Sequence, residues 1–417
     1  MDATLDADVI IAGAGMAGAT LALALHQGGL RPILVDPQPF SAQLEPSFDG
    51  RSSAIAFSSF RAWDAMGVGD NMRPDVQRIE QILVTDGHGP GASSGGPTPF
   101  FLRFEAAEIA GRTHGEPLGY MVENRRTRTG LAQGIEAARL TVLAPARVEG
   151  VEAGLGGVQV RLADGRIVRA PLVVGAEGRG SVIRKAAGIG VVGWDYKQSG
   201  VVATLKLERP HQGVAHEYFL PAGPFAILPL TENRVSLVWT ESHEAAHALK
   251  AARPEVFLSL LRRRFGDFLG RIELTGPTFV YPLSLQLAER YAAPRVALLG
   301  DAAHGVHPIA GQGLNLGLRD AATLAEVLVD AARLGEDIGT EAVLKRYVAW
   351  RRFDTTVLSA GMDAFVHLFS NDNPAVRLAR GLGMAAVNRI GPARRLFMQE
   401  AGGAVGELPR LFRGELL

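Results

Sequence analysis

The chain has 417 residues, of which 47% are hydrophobic and 21% are charged, a composition typical of a soluble globular protein with two or three units. Its 43 basic and 43 acidic residues cancel, which argues against a nucleic-acid-binding protein. It contains no cysteine, so disulfides, thiolate catalysis, cysteine-bound metals and iron–sulfur clusters are excluded.

The first informative segment joins a predicted strand, residues 8–12, to a predicted helix, residues 16–27. The turn between them needs residues without a side chain for its tight bend, for the approach of a pyrophosphate to the backbone, and for packing of the helix on the strand. The residues at these three places are Gly13, Gly15 and Gly18. The start of the helix would also present free N–H groups and a positive dipole to phosphates.

A second strand is predicted at residues 33–35 and ends at Asp36, where a carboxylate can accept hydrogen bonds from ribose hydroxyls. This strand–helix–strand unit predicts a dinucleotide site but does not distinguish NAD from FAD, and a glycine-rich turn without a ligand is the alternative. Residues 9–25 carry no charge, but they are few for a membrane span and follow an acidic segment, which argues against a span or a signal peptide.

Two later segments repeat the combination of an apolar run and a glycine-punctuated turn. A run at residues 172–174 precedes the glycine-rich residues 175–179, and another at residues 295–299 precedes Gly300 and Asp301. Each run predicts a strand, and an acidic residue at a strand end can hydrogen-bond a polyol chain.

Residues 311–315 complete the third segment and open a long apolar helix predicted over residues 316–328. The start of that helix would direct N–H groups and its dipole at an anion. A flavin suits this arrangement, because its ribityl chain needs acceptors such as Asp301 and its reduced ring carries negative charge. The sequence therefore predicts one flavin dinucleotide held by three separated parts of the chain.

The three segments resemble the motifs of the class A flavoprotein aromatic hydroxylases, the para-hydroxybenzoate hydroxylase superfamily. Shorter stretches resemble the ubiquinone-biosynthesis hydroxylases within it; they are residues 49–56, 118–125, 194–198 and 219–230. The resemblance runs from about residue 8 to about residue 352. It departs from the family at Glu177, where Asp is usual, and at residues 87–99, a Gly/Ser/Pro-rich insertion that predicts a surface loop.

This resemblance implies an α/β fold with a discontinuous Rossmann-like FAD-binding domain, a β-sheet substrate domain and a C-terminal helical tail. It implies a monooxygenase that takes electrons from NADH or NADPH and uses O2 to hydroxylate a polyprenylated phenol in ubiquinone biosynthesis. A related hydroxylase of a small soluble aromatic or a polyketide is the alternative, and a non-catalytic flavoprotein subunit of a biosynthetic complex is the second. The third segment disfavours an NAD-dependent dehydrogenase.

The resemblance also implies contacts with the ADP half and the ribityl chain of FAD. The ADP half is expected on Gly13, Gly15, Met16, Ala17, Gly18 and Asp36. Arg51 would reach the diphosphate or the ribityl chain, although a plain surface arginine is the alternative. Further cofactor contacts are expected from Asn124, Glu177 and Asp301.

The reacting end of the cofactor is expected beside the third segment. Its pyrimidine edge would receive N–H groups from Gly311, Gly313, Leu314 and Asn315. Pro308 would place its backbone carbonyl next to the reaction site. Tyr218 and Trp239, on predicted strands, are candidate substrate contacts, with core packing as the alternative. No general base stands out.

The order of the motifs predicts how the chain divides into domains. The FAD-binding domain is expected to comprise residues 1–75, 105–190 and 282–345. A substrate-binding sheet domain would comprise residues 76–104 and 191–281, with strands at 201–207, 218–220, 225–228 and 235–240. Residues 346–417 predict a helical region, whose last 41 residues carry seven Arg and three acidic residues. That pattern suits either helices facing a membrane or partner or an ordinary surface helix.

No metal is expected, because His304 and His307 have a suitable spacing but lack an apparent third ligand, and a structural role is favoured for His304. The expected partners are O2 and a lipid-tailed aromatic substrate, with contact to a membrane surface or a multi-protein complex and none to nucleic acid. We expect a cytoplasmic protein, free or peripheral at the inner membrane face, without a signal peptide or transmembrane segment.

Overall fold

The structure of the protein is a computed structural model that describes residues 5–45, 49–86, 101–108, 115–220, 222–306, 311–352, 398, 403 and 406–417, apart from the side chains of Asp86 and Phe265. The glycine-rich insertion at residues 87–99 and most of the predicted helical tail lie outside the described residues.

Strands account for much of the described chain. In chain order they are β1 (Val9–Ala12), β2 (Pro32–Val35), β3 (Ser52–Ala56), β4 (Gln77–Ile79), β5 (Gln81–Asp86), β6 (Phe101–Glu105), β7 (Gly119–Glu123), β8 (Thr141–Leu143), β9 (Val148–Gly154), β10 (Gly157–Leu162), β11 (Ile167–Ala170), β12 (Leu172–Gly175), β13 (Val191–Leu207), β14 (Val214–Leu220), β15 (Gly223–Leu230), β16 (Arg234–Ser242), β17 (Ile272–Leu274), β18 (Phe279–Ala288), β19 (Ala292–Ala293), β20 (Val296–Leu298) and β21 (His304–Gly305).

The helices are fewer and most of them flank the sheets. In chain order they are α1 (Met16–Gln27), α2 (Phe40–Leu44), α3 (Phe57–Ala65), α4 (Asn124–Ala137), α5 (Val182–Ala186), α6 (His243–Ala251), α7 (Pro254–Phe265), α8 (Gln312–Arg333), α9 (residues 341–352) and α10 (Arg410–Arg413).

A six-stranded sheet in the order β19-β20-β12-β1-β2-β8 forms the first layer. Its neighbours from β20 to β8 run parallel, and β19 pairs antiparallel at the edge. The strands β1, β2, β12 and β20 are buried along their whole length, as in parallel sheets covered on both faces. The strands and first helix predicted for the three segments are therefore confirmed. The helix predicted over residues 316–328 is longer, because it begins at Gln312 and ends at Arg333.

A nine-stranded sheet forms the second layer, in the order β21-β18-β13-β16-β15-β14-β5-β6 with β17 beside β13. It contains all four strands predicted between residues 201 and 240, which are longer than expected. Helices α6 and α7 cover one face, where alternate residues of the central strands form an apolar core with Leu249 and Phe257. The predicted α/β fold is confirmed, whereas the domain boundaries stay a prediction.

The opposite face of this large sheet packs toward the rest of the molecule at two places. At one, Ala215 and Leu230 meet Met121 of the small sheet β3-β7-β4. At the other, Phe219 meets Leu316 near the start of α8. The start of α8 therefore lies beneath the large sheet, on the side away from α6 and α7.

A buried carboxylate fixes α8 to the turn after β20. Asp320 accepts hydrogen bonds from the backbone N–H of Gly300 at 3.0 Å and from the Arg351 Nε of α9 at 2.8 Å, and it also bonds His304. The side chains of Asp320, His304 and Arg351 are fully buried. Burial alone would raise the pKa of Asp320, but His304 and Arg351 lower it overall.

We expect Asp320→Asn to lower the free energy of unfolding by about 3–5 kcal/mol, because it removes the buried negative charge that binds both His304 and Arg351. Urea denaturation at neutral pH measures the loss. The lowered pKa sets the sign of the pH dependence: the Asp320 contribution is complete above the ordinary value of 3.8 and is lost as the pH falls through the lowered pKa.

The matched control is Asp164→Asn, which removes a carboxylate from an exposed pair with Arg166. An exposed ion pair contributes little, so the control should unfold close to the wild type. Equal losses in the two variants would contradict the structural role given to Asp320.

Candidate functional site

Four parallel strands end side by side at one edge of the six-stranded sheet, and each leads into a segment singled out from the sequence. Strand β1 leads into Gly13, β2 into Asp36, β12 into Ala176 and β20 toward Gly300. Because parallel strands present their carboxyl ends at the same edge, the three glycine-punctuated segments meet there. This edge is the candidate site.

Two of the three N-terminal glycines are required by the packing of the protein itself. Gly13 has a φ of 101°, and a Cβ there would lie 2.4 Å from the carbonyl oxygen of Ala176. A Cβ on Gly18 would lie 2.0 Å from the carbonyl oxygen of Gly13. Larger residues at either position would break the contact between β1, α1 and the turn after β12.

Gly15 differs, because nothing in the protein occupies the place of its missing side chain. Its backbone is extended, with φ −65°, and a Cβ there would have no heavy atom within 4 Å. It is also the N-cap of α1, whose first turn carries neither a capping side chain nor an acidic residue. The open space and free N–H groups fit an anionic ligand such as the diphosphate of FAD.

The carboxylate of Asp36 is held at the end of β2. One oxygen accepts the N–H of Ala14 at 2.8 Å, and the other accepts the N–H of Gln38 at 2.9 Å. A carboxylate oxygen can accept more than one hydrogen bond, so the fixed group remains suited to ribose hydroxyls. Asp36 thus lies beside the glycine turn, as its spacing predicted.

Small residues bring the first and third segments into contact. A Cβ on Gly317 would lie 3.4 Å from the Cβ of Ala17 and 3.2 Å from the Cα of Gly300. This close approach places the start of α1, with Met16 and Ala17, against the turn that carries Asp301. The side chain of Asp301 is half exposed, with an Oδ2–Nε distance of 3.6 Å to Arg179.

Arg51 belongs to a cluster organised by Asp49, a residue to which the sequence gave no role. Asp49 accepts the Nε of Arg51 at 2.8 Å, an Nη2 of Arg128 at 2.7 Å and the Nδ2 of Asn124 at 3.1 Å. Burial would raise the pKa of Asp49, but these partners hold it well below its usual range. The site thus keeps a carboxylate charged under a half-exposed arginine.

The guanidinium of Arg51 also interacts with groups on the other side of this cluster, including Asp301 of the candidate site. It lies over the ring of Tyr281, with 4.7 Å between its Cζ and the ring centroid. Burial lowers the pKa of Arg51, but Asp49 and, less strongly, Tyr281 and Asp301 raise it overall. Arg51 is therefore within electrostatic reach of Asp301, as a shared cofactor site requires.

Asn124 and Asn315 use their side chains within the protein. The Oδ1 of Asn124 accepts the hydroxyl of Ser53 at 2.6 Å, opposite its bond to Asp49. The Asn315 amide joins α8 to β3, since its Nδ2 donates to the carbonyl of Ala54 and its Oδ1 accepts the N–H of Ala56, both at 2.8 Å. These amides position the backbone around the site.

Two glycines lie at the start of α8. Its N-cap, Gly311, has a φ of 64°, and a Cβ there would lie 3.1 Å from the Cβ of Ala54. A Cβ on Gly313 would meet only Val306, at 3.7 Å. No acidic residue occupies the first turn, so N–H groups up to Leu314 are available to an anionic ligand edge.

Glu177 caps a helix of the protein. Its Oε2 accepts the N–H of Ile183 at 3.1 Å and the hydroxyl of Ser181 at the start of α5. Burial raises its pKa, although these hydrogen bonds act in the opposite direction. The extra methylene relative to the usual Asp carries the carboxylate to α5, and a contact with the cofactor stays a prediction.

Two arginines of the second segment connect it to the third. Arg184 donates to the carbonyl oxygens of Ala302 at 3.0 Å and of Arg179 at 2.8 Å. Arg179 in turn donates to the carbonyl of Val306 at 3.2 Å. The sequence placed both arginines in a motif but could not assign partners that lie more than a hundred residues away.

Tyr218 and Trp239 require a correction. Both side chains are buried on the face of the large sheet that packs against α6 and α7, in one core with Phe225 and Phe257. Strand alternation points them away from the start of α8. The structure therefore gives them a packing role in place of the expected substrate contact.

Some expectations cannot be compared with the structure. Pro308 and His307 lie outside the described residues. His304 is buried against Asp320, which is a structural position. Within the ranges that the structure describes, no group of three or more His, Cys, Asp or Glu residues is arranged to hold a metal ion. No described helix has the length and apolar character needed to cross a membrane.

The sequence is similar to a known protein family and to several individual proteins. Residues 6–355 match the sequence model of the family described as FAD binding domain. Ubiquinone hydroxylase UbiL of Rhodospirillum rubrum is 48% identical over 98% of this chain and 93% of its own. The 3-demethoxyubiquinol 3-hydroxylase of Escherichia coli is 34% identical over 95% of this chain and 98% of its own. The mitochondrial ubiquinone biosynthesis monooxygenase of Homo sapiens is 32% identical over 94% and 91%, respectively.

Solved structures share the fold. A probable FAD-dependent monooxygenase from Pseudomonas aeruginosa, PqsL, superposes with a TM-score of 0.72 at 25% identity, covering 91% of this chain and 99% of its own. The p-nitrophenol 4-monooxygenase of Pseudomonas putida superposes with a TM-score of 0.78 over 96% of this chain and 99% of its own. Its identity is 17%, so it supports the fold alone.

We expect Gly15→Ala to weaken FAD binding at least about tenfold, because the new methyl group would enter the space suited to the diphosphate. The apoprotein should lose only about 1 kcal/mol, the scale of an N-cap change. Fluorescence titration of the apoprotein with FAD and its urea denaturation measure the two effects.

Two further alanine variants make the test specific. Gly156→Ala is also sterically open but lies in the turn between β9 and β10, so FAD binding should not change. Gly18→Ala should destabilise the apoprotein strongly, because its Cβ clashes with Gly13. Wild-type FAD affinity in Gly15→Ala would contradict the placement of the diphosphate.

Proposed function

Since this chain belongs to the FAD binding domain family, we propose that it is an FAD-dependent monooxygenase that hydroxylates the ring of a polyprenylated phenol in ubiquinone biosynthesis. The similarity to ubiquinone hydroxylase UbiL, at 48% identity over 98% of the chain, carries the proposal. The relatives in Escherichia coli and Homo sapiens are also named for ubiquinone or its precursors.

FAD bound at the sheet edge would supply electron transfer from NADH or NADPH and the activation of O2. In this proposal the open space at Gly15 receives the diphosphate, and Asp36 holds the ribose. Arg51 and Asp301 hold the diphosphate and ribityl region, and the first N–H groups of α8 face the pyrimidine edge.

The chain would exclude water from the reacting ring with apolar side chains. Phe219 and Leu285 of the large sheet pack with Val306 and Leu316 near the start of α8. Such a lining favours contact between two rings and suits the prenyl tail of a lipid substrate. The expected contact of the Pro308 carbonyl with the reacting ring stays a prediction.

A lipid-tailed substrate resides in a bilayer. We therefore propose that the enzyme collects it at the cytoplasmic surface of a membrane, as a peripheral protein or within a biosynthetic complex. The proposed contact is the set of arginines between residues 377 and 395.

We expect Asp301→Ala to lower FAD retention during gel filtration at least about tenfold, because a fixed acceptor for the ribityl chain is lost. Absorbance of the purified protein at flavin wavelengths measures the FAD content. Asp164→Ala, which removes an exposed carboxylate far from the sheet edge, should retain wild-type FAD. An active Asp301→Ala protein with full FAD content would contradict the proposed contact of Asp301 with the ribityl chain.

The function itself is tested by mass spectrometry of quinone lipids from cells that lack this gene. We expect less ubiquinone and accumulation of a prenylated phenol that lacks one ring oxygen. Purified enzyme with NADH or NADPH should convert that phenol to the hydroxylated product. Unchanged lipids, together with phenol-stimulated NAD(P)H oxidation on a soluble aromatic, would favour the alternative hydroxylase instead.

A further inference from the structure

Glu217 lies at the centre of β14, on the face that points away from α6 and α7. Its neighbours Tyr218 and Leu220 belong to the core against those helices. Ala215 and Phe219, two residues before and after it, belong to the packing on the opposite face. Because side chains alternate along a strand, Glu217 shares the face of Ala215 and Phe219.

This position is directly opposite the start of α8. Ala215 packs in one cluster with Ala54 of β3, and Phe219 packs in another with Leu316 of α8. Ala54 in turn contacts the N-cap Gly311 and bonds Asn315. Glu217 lies between these two contacts, so its side chain is on the face of the sheet that packs toward the start of α8.

The surroundings of Glu217 are apolar. It pairs with Ala226 on β15 and with Val84 on β5. None of the described residues donates a hydrogen bond to its carboxyl group or forms an ion pair with it. The acidic residue nearest in register is Asp86, which pairs with Phe219 at the end of β5.

A carboxyl group in this setting has an energetic cost unless something binds it. Its side chain keeps some accessible surface, yet burial raises its pKa to about 7. Both properties are those of a carboxyl group that the protein shields on most sides. An unpartnered carboxylate there is unfavourable, and a hydroxyl from a ligand would satisfy it.

We propose that Glu217 binds the ring hydroxyl of the aromatic substrate and accepts its proton. The inference rests on the proposed function and deepens it, because it names the chemistry that the site recognises. The substrate is a neutral phenol, since an aromatic carboxylate would place a second negative charge against Glu217, beside which the described residues put no cation.

The proton transfer involves only the phenol and the carboxylate of Glu217. The O–H bond of the phenol breaks, its electron pair stays on the oxygen and is delocalised into the ring, and the proton moves to the Glu217 carboxylate. The ring carbon then has the electron density that attack on an activated oxygen atom requires. A base whose pKa lies near the working pH is well suited to this step.

Binding measurements test whether Glu217 recognises the ring hydroxyl, independently of turnover. Calorimetric titration of the FAD-loaded enzyme with 2-geranylphenol, its methyl ether and 4-hydroxybenzoate compares three probes. We expect the wild type to bind the phenol about tenfold more tightly than the ether and to bind the benzoate poorly. Glu217→Leu, which removes both acceptor oxygens, should lose the preference for the phenol. Tyr218→Phe, one residue away on the opposite face, should keep it.

The rate of hydroxylation tests whether Glu217 accepts the proton of the phenol. Hydroxylation of 2-geranylphenol by Glu217→Gln should fall by about 10²- to 10⁴-fold, while its FAD content stays at the wild-type value. The wild-type rate should rise between pH 6 and 8, about the raised pKa, and the variant should lose that rise.

Stability of the apoprotein tests the buried position independently of any substrate. Because the folded-state pKa of Glu217 is raised, its contribution is complete below the ordinary value of 4.5 and is lost as the pH rises through about 7. The wild-type unfolding temperature should therefore fall more steeply over this range than that of Glu217→Gln.

The outcomes separate this inference from the proposed function. If the wild type hydroxylates no phenol but still prefers the phenol to its ether through Glu217, the proposed function fails and the recognition role stands. If Glu217→Gln hydroxylates 2-geranylphenol at the wild-type rate, or if the wild type shows no preference between phenol and ether, the inference is overturned.

Discussion

The candidate site depends on the hydrogen bonds and ion pairs of one buried carboxylate, that of Asp320. It holds the N–H of Gly300 at the end of β20 and also binds His304 and Arg351, so that one residue of α8 fixes both the turn carrying Asp301 and helix α9. A helix start can face a ligand only if the rest of the helix is rigid. Because α8 is fixed at Asp320 and again at Asn315, whose amide also donates to the carbonyl of the N-cap Gly311, its first N–H groups are held in place.

Most polar side chains near the site are used within the protein. Asn124, Asn315 and Glu177 bond to the chain, and Asp49 gathers two arginines. What remains for ligands is chiefly backbone N–H groups, the space at Gly15 and the exposed part of Arg51 and Asp301. Such a site binds through fixed geometry, and few of its side chains need to move when a ligand enters. Glu217 is the exception, since the protein provides its carboxyl group with no described partner.

The sequence was sufficient for the local structure of the first sheet, because turns around Gly13 and Gly18 and buried runs such as residues 172–174 are determined by nearby residues. The sequence could not show which side chains of the second sheet face the site. Tyr218 and Glu217 are adjacent on one strand, and only the placement of α6 and α7 decides which of them faces the site. Asp49 was missed because its partners Arg128 and Asn124 lie more than 70 residues away. The sequence showed that Glu177 replaces the usual Asp. Only the structure showed that its carboxylate caps α5.

The position of β20 has a consequence for how the protein is made. In the six-stranded sheet, β20 is the neighbour of β12 on the side away from β1, although 120 residues separate the ends of the two strands nearest in sequence. While the ribosome is still synthesising the large sheet, the outer edge of β12 remains an unpaired, fully apolar strand, the kind of edge that invites pairing with other chains. Pairing of β20 therefore covers that edge and brings Gly300 and Asp301 to the candidate site in the same event. A ligand that needs this part of the site would bind only after the edge of β12 is covered.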